Sequence, residues 1–73
     1  MRYRAVMGIA IIAGPRYGGA VVGRIEPEEE VEGTEERYDE DHAPCSYIRL
    51  ADGRGWVWRP AFDPIKEVFE GKA

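Results

Sequence analysis

The sequence predicts an all-β fold, a small barrel of about five short strands over residues 3–59 followed by a short helix over residues 64–70, in a single domain spanning 1–73. Three observations predict it. The segment Tyr47-Ile48-Arg49-Leu50-Ala51-Asp52-Gly53-Arg54-Gly55-Trp56-Val57 alternates, turns at Asp-Gly and returns as an aromatic strand, which is a β-hairpin signature. The stretch from Tyr3 to Ala13 alternates and is rich in Ile and Val. A chain of 73 residues buries only about 60% of the surface its unfolded form exposes, which leaves room for one core and no second domain.

The elements follow in order. Tyr3 to Ala13 reads as the first strand, with Tyr3, Met7, Ile9 and Ile11 facing inward, and Gly14-Pro15 ends it. Gly18-Gly19 marks a flexible turn, after which Ala20 to Ile25 forms a second strand carrying Val21, Val22 and Ile25, broken off at Pro27. From Glu26 to Asp41 ten side chains are acidic and within that segment only Arg37 opposes them. Such runs form solvated loops or edge strands kept soluble by repulsion, with Val31 and Tyr38 as anchors. Ser46 to Ala51 and Arg54 to Trp58 are the last strands. Pro60 stops the sheet, and Asp63-Pro64 opens the helix as N-cap and first helical residue. Phe62, Ile65, Val68 and Phe69 form its apolar stripe, and Gly71 suits its end.

Loop length in the closing hairpin decides which face the tryptophans occupy, because a one-residue slip turns every side chain over. A two-residue turn at Asp52-Gly53, the arrangement we favour, sets Ile48 opposite Val57 and Leu50 opposite Gly55 on the core side. Tyr47 then faces Trp58, and Arg49 faces Trp56 with its cation over the indole, worth about 0.5–1 kcal/mol if exposed. A three-residue loop with Gly53 in the left-handed region would instead place both tryptophans in the core. Under the favoured register the surface of Tyr47, Trp56 and Trp58 needs a cover: an external ligand or the molecule's own terminal helix.

Three segments in this order and spacing resemble the bacterial SH3 family, SH3b. Gly8-Ile9-Ala10-Ile11-Ile12-Ala13-Gly14-Pro15 is similar to that family's opening G-L-N-V-R-x-G-P, Tyr17 with Val21-Val22-Gly23 to its Y-x-V-V-G, and Tyr47 to Val57 to its closing W-Y-x-V-R-L-x-D-G-R-x-G-W-V. The resemblance covers most of residues 8–58 and implies an SH3-like barrel. It also implies a binding module whose ligand is a cell-wall glycopeptide or a peptide segment of a protein. Departures are plain: Ala10 and Ile12 replace the polar Asn and Arg, Glu29 stands where a turn Gly is common, the hairpin is one residue shorter, and a Trp near Tyr47 is missing. The helix after Pro60 lies outside the family pattern.

Composition narrows the function. Fourteen acidic and ten basic residues give a net charge of -4, and an acidic surface repels phosphate, which argues against a nucleic-acid partner. The single cysteine, Cys45, cannot staple the fold internally, as suits a reduced intracellular domain. Arg2 and Arg4 precede the apolar stretch Ala5 to Ala13 as in a secretory signal, but cleavage after Ala13 would remove the first strand, so we expect a cytoplasmic protein. That stretch is also far short of the ~20 residues that span a bilayer, so no membrane insertion is expected. His42-Ala43-Pro44-Cys45 offers two good metal donors where zinc needs about four. The acidic surroundings should raise the thiol pKa rather than activate it. We therefore expect no enzyme, no metal and no cofactor.

What remains is recognition. Tyr17, Tyr47, Trp56 and Trp58 are the candidate aromatic contacts, with Arg16, Glu36 and Asp39 beside them. Arg16 and Tyr17 sit on the turn Ala13 to Gly19, expected near the acidic segment Glu35 to Asp41, a geometry suited to a polyproline-type peptide that carries Arg or Lys. A cation cage of Tyr17, Tyr38 and Trp58 can also be drawn. The two functions in competition are a module that binds a peptide or protein and an architectural piece that docks permanently in a larger assembly.

Overall fold

The computed structural model describes residues 1–39 and 45–65. They form one antiparallel sheet of seven strands: β1 Arg2–Ala5, β2 Ile9–Ile12, β3 Val21–Ile25, β4 Glu30–Tyr38, β5 Ser46–Leu50, β6 Trp56–Trp58 and β7 Phe62–Pro64, in the spatial order β3-β2-β6-β5-β4-β1-β7. The all-β class stands, with seven strands rather than about five. Tyr3 and Ala5 of β1, Ile11 of β2, Ile25 of β3, Val31 of β4, Ile48 and Leu50 of β5, Val57 of β6 and Phe62 of β7 share one core cluster. Side chains from both edge strands reach that cluster, so the sheet curls around a single concave face.

The expected first strand is two strands. Its alternation runs on through residue 13 in the sequence, but β1 pairs with β4 and β7 while β2 pairs with β3 and β6. The chain has to cross between those two sets, and Val6-Met7-Gly8 makes the crossing. Val6 N–H donates to Ala61 O at 2.9 Å, and a side chain at Gly8 would press on the Arg24 guanidinium at 3.1 Å. Met7, expected inward, is therefore 46% exposed, whereas Tyr3 and Ile11 are buried as expected. Ile9 is half-buried against the margin of the core.

The middle of the acidic segment is neither loop nor edge. Glu30–Tyr38 is the longest strand and sits inside the sheet between β1 and β5. Arginines from elsewhere in the chain answer its acids: Arg2 and Arg4 reach Glu30, and Arg49 joins the strand's own Arg37 on Glu35, while Arg54 reaches Glu29 just before the strand. Val31 is the buried anchor expected of it, but Tyr38 is 66% exposed. A register shift between Gly33 and Glu35 interrupts the alternation. Gly33 is required where it stands, since a Cβ there would collide with Ile48 Cγ2 and come within 3.0 Å of Tyr3 Cε1.

Beyond β6 a 3-10 turn, Arg59–Ala61, carries Pro60, and the sheet resumes. Asp63 and Pro64, expected to open a helix, lie in β7, which pairs with β1 through Ala5↔Phe62, Arg4↔Asp63 and Tyr3↔Pro64. Phe62 is buried in the common core, with its ring edge-on to Tyr3 at a centroid distance of 6.5 Å. Burial of Phe62 fixes β7 as a strand more firmly than the Asp-Pro signal favours a helix. Residues 66–70 of the expected helix fall outside the described residues. Pro64, lacking an N–H, suits an edge strand.

Candidate functional site

The β5–β6 hairpin builds the site. Its register is Tyr47↔Trp58, Ile48↔Val57 and Arg49↔Trp56, as the favoured reading requires. The turn itself differs. Gly53 N–H donates to Leu50 O at 3.1 Å, Leu50 N–H donates to Gly55 O at 2.9 Å, and Gly53 takes a φ of +84°. The reversal is thus a four-residue loop, Ala51 to Arg54. Four residues preserve the facing that two would give, because both are even. Ile48, Leu50 and Val57 are buried in the core, and Tyr47, Arg49, Trp56 and Trp58 take the other face.

That other face carries a groove of about 250 Å³ lined by Ile9, Ala10, Ile12, Tyr17, Gly18, Cys45, Tyr47 and Trp58. Its floor is apolar for a local reason: Ala10 and Ile12 of β2 are small or aliphatic. Trp58 is half-buried, and its ring also packs against the margin of the core. Tyr47 is only 4% exposed, although it projects away from the core. Burial raises its phenol pKa above the ordinary value, and the nearby charges of Cys45 and Asp39 push it the same way.

The wall opposite Trp58 comes from the turn between β2 and β3. Ala13 N–H donates to Ala20 O at 2.9 Å and closes its base, and Gly18 at a φ of +81° lets it double back. Tyr17 is 66% exposed there. Its backbone N–H donates to Asp39 Oδ2 at 2.7 Å, which joins the turn to the end of β4, as its expected position beside the acidic segment implies.

The predicted site residues therefore divide. Tyr17, Tyr47 and Trp58 converge on the groove, and Asp39 lies 7% exposed behind the turn, bonded to backbone. Trp56 does not line the groove; it stands beside Ile12 and Arg49 in the sheet. Arg16 lines a separate, polar depression formed by Ala13, Gly14, Gly18, Gly19 and Ala20. Glu36 pairs with Ile48, which puts it on the face of the sheet opposite Tyr47. Tyr38 pairs with Ser46, also on the opposite face, so the cage of Tyr17, Tyr38 and Trp58 does not form. Arg49 turns to Glu35, 3.6 Å away, rather than over Trp56, and a cation sits over a ring elsewhere, Arg59 over Tyr3 at 5.2 Å. His42 lies outside the described residues.

Sequence reasoning missed the floor of the groove. Ala10, Ile12 and Cys45 meet the aromatics there without having been expected to, and Ile9, packed against the core margin as its inward reading implies, also reaches the groove. A signal existed: with the hairpin register known, β2 residues of the opposite parity to Ile11 fall on the Tyr47 face.

The class these observations define is a small antiparallel all-β domain with one aromatic-walled apolar groove on its convex side. Neither a protein-family profile, nor a curated protein, nor a solved structure matches the chain. Among the described residues, no helix is long and apolar enough to cross a membrane, and no cluster of His, Cys, Asp and Glu is suited to hold a metal ion.

Proposed function

We propose that this protein is a non-enzymatic binding module that seats one apolar side chain of a peptide or protein partner between Tyr17 and Trp58. The observation that carries the reading is the groove itself, walled by rings from the β2–β3 turn and from the β5–β6 hairpin strands and floored by Ile9, Ala10 and Ile12. At about 250 Å³ it is smaller than the ~300–1,000 Å³ of small-molecule sites, a size suited to a single anchoring side chain of the kind that dominates interface energetics. The resemblance of residues 8–58 to SH3b modules supports the same class of function. A ligand chosen for Arg or Lys loses its support, since Glu35 is already bonded to Arg37 and Arg49 and Glu36 faces away.

Selection from a displayed random-peptide library, with affinities then measured by fluorescence anisotropy, tests the reading. The expected outcome is enrichment of peptides with one large apolar residue, whose affinity falls about tenfold or more in Trp58→Ala and Tyr17→Ala and is unchanged in Tyr38→Ala. Equal losses in all three, or no enrichment, would overturn it. Muropeptides run in parallel test the cell-wall alternative. A second reading, architectural docking along β3, is favoured by one specific observation: β3 is an edge strand on which Val21 and Val22 are 67% and 56% exposed.

A further inference from the structure

We infer that Asp39 is a positioning residue, a latch that sets the width of the groove without touching what enters it; the inference rests on the groove being the binding site. Four separate pieces of chain line that groove: the turn carrying Tyr17 and Gly18, the β2 strand, the segment Cys45 to Tyr47 at the start of β5, and Trp58 of β6. Asp39 ties the first to the third. Its carboxylate Oδ2 accepts the Tyr17 N–H at 2.7 Å, and its own N–H donates to Cys45 O at 2.9 Å.

Two features make this tie more than a surface contact. Asp39 is 7% exposed, and a carboxylate withdrawn from water is costly unless hydrogen-bonded, so bonds it does make at that depth are held firmly. The Tyr17 ring, by contrast, stands largely in solvent at 66% exposure. The backbone beneath it has Gly18 in a left-handed conformation and Gly19 bonded back to Arg16 O at 3.2 Å. Release of Asp39 therefore frees the Tyr17 wall to move away from Trp58, while the core side of the same hairpin is untouched. A wall held in advance lowers the ordering cost of binding.

The test uses the full ¹⁵N-labelled chain as wild type, Asp39→Ala and Asp39→Asn, with two readouts. The first is amide hydrogen exchange at Tyr17, set against Ile48 and Val57 in the core strands. Loss of one charge-assisted hydrogen bond should speed Tyr17 exchange about tenfold in Asp39→Ala, leaving Ile48 and Val57 near their wild-type rates. Asp39→Asn, which keeps the shape and a carbonyl acceptor, should give a smaller rise of about threefold; it carries the test if the alanine variant does not fold. The second readout is titration with N-acetyl-phenylalaninamide, followed at the Ile12 and Tyr47 amides, where affinity should fall about fivefold or more with release of the wall. Unchanged Tyr17 exchange in either folded variant, or a uniform acceleration that includes Ile48 and Val57, overturns the latch. Failure of the wild type to bind the probe overturns the groove as a binding site instead, and the exchange data still decide whether Asp39 holds the turn.

Discussion

The two faces of the β5–β6 hairpin are made by alternate residues of the same strands, and they are finished differently. On the concave face Ile48, Leu50 and Val57 are closed over by side chains from every other strand. On the convex face Tyr47 is buried but Trp56 and Trp58 are half-buried, and among the described residues it is the turn carrying Tyr17 that reaches toward Trp58. The lesson lies in the covering elements. A curled sheet gives every strand access to its concave side, whereas the convex side must be covered by loops, and the loop available here ends in an exposed Tyr17.

The strongest way to break that comparison is to truncate one residue on each face. Leu50→Ala should cost about 2–5 kcal/mol, a large share of the ~5 kcal/mol such small domains possess, and urea denaturation should show a partly unfolded protein. Trp58→Phe should cost under about 1.5 kcal/mol while weakening peptide binding. Similar losses for the two would mean that the convex face is core in all but name. Gly33→Ala comes next. The added methyl is driven into Ile48 and Tyr3, and overpacking of this sort costs about 1–3 kcal/mol, which the midpoint of thermal unfolding would register.

The Tyr47 phenol gives a pH-dependent contrast between the faces. Its folded pKa is raised, so the stability it contributes is present in full below the unfolded phenol value of ~10 and is lost as pH climbs through the raised folded value. Tyr47→Phe should remove that loss. Urea unfolding of both proteins at pH 8 and again in the alkaline range checks it, with the wild type falling further than the variant; parallel declines would show that the phenol is no more shielded than free tyrosine.

The hairpin was legible because its information is local: an even loop plus alternation determines which residues share a face, and the register followed although the turn type did not. The strand β4 was hidden by charge. Its pattern of Val31 and Gly33 between acids is ordinary strand alternation, but the arginines from outside it that pair with its acids, Arg2, Arg4 and Arg49, are distant in sequence. The break at Val6-Met7-Gly8 was illegible for the converse reason, since alternation continues across it and only long-range pairing decides that β1 and β2 serve different neighbours. Asp63-Pro64 misled because a helix-start signal is weak against burial of one phenylalanine. Of the groove, the rings could be named in advance; their convergence could not, because it depends on the Tyr17–Asp39 bond across 22 residues.

The smallest expected effect concerns Arg49, which shares the convex face with both tryptophans. It stands opposite Trp56 in the sheet, and its guanidinium lies 3.6 Å from Glu35, whose other partner Arg37 is closer at 2.7 Å. The Glu35 carboxyl is held below the usual carboxylate range, first by its hydrogen bond to Arg37 and then by the charges of both arginines. Both arginines are well exposed and Glu35 is partly so, so water and salt screen the pairs, and the Arg37 bond survives when Arg49 is removed. Arg49→Ala should therefore change stability by less than about 0.5 kcal/mol. Had the guanidinium lain over the Trp56 indole, the loss would be about 0.5–1 kcal/mol and largely insensitive to salt. Urea unfolding of Arg49→Ala and wild type at low and high salt separates the two cases. A small difference that vanishes in salt fits the carboxylate partner, and a larger one that persists would put the cation back over the ring, making Trp56 a more covered residue than the comparison of the two faces allows.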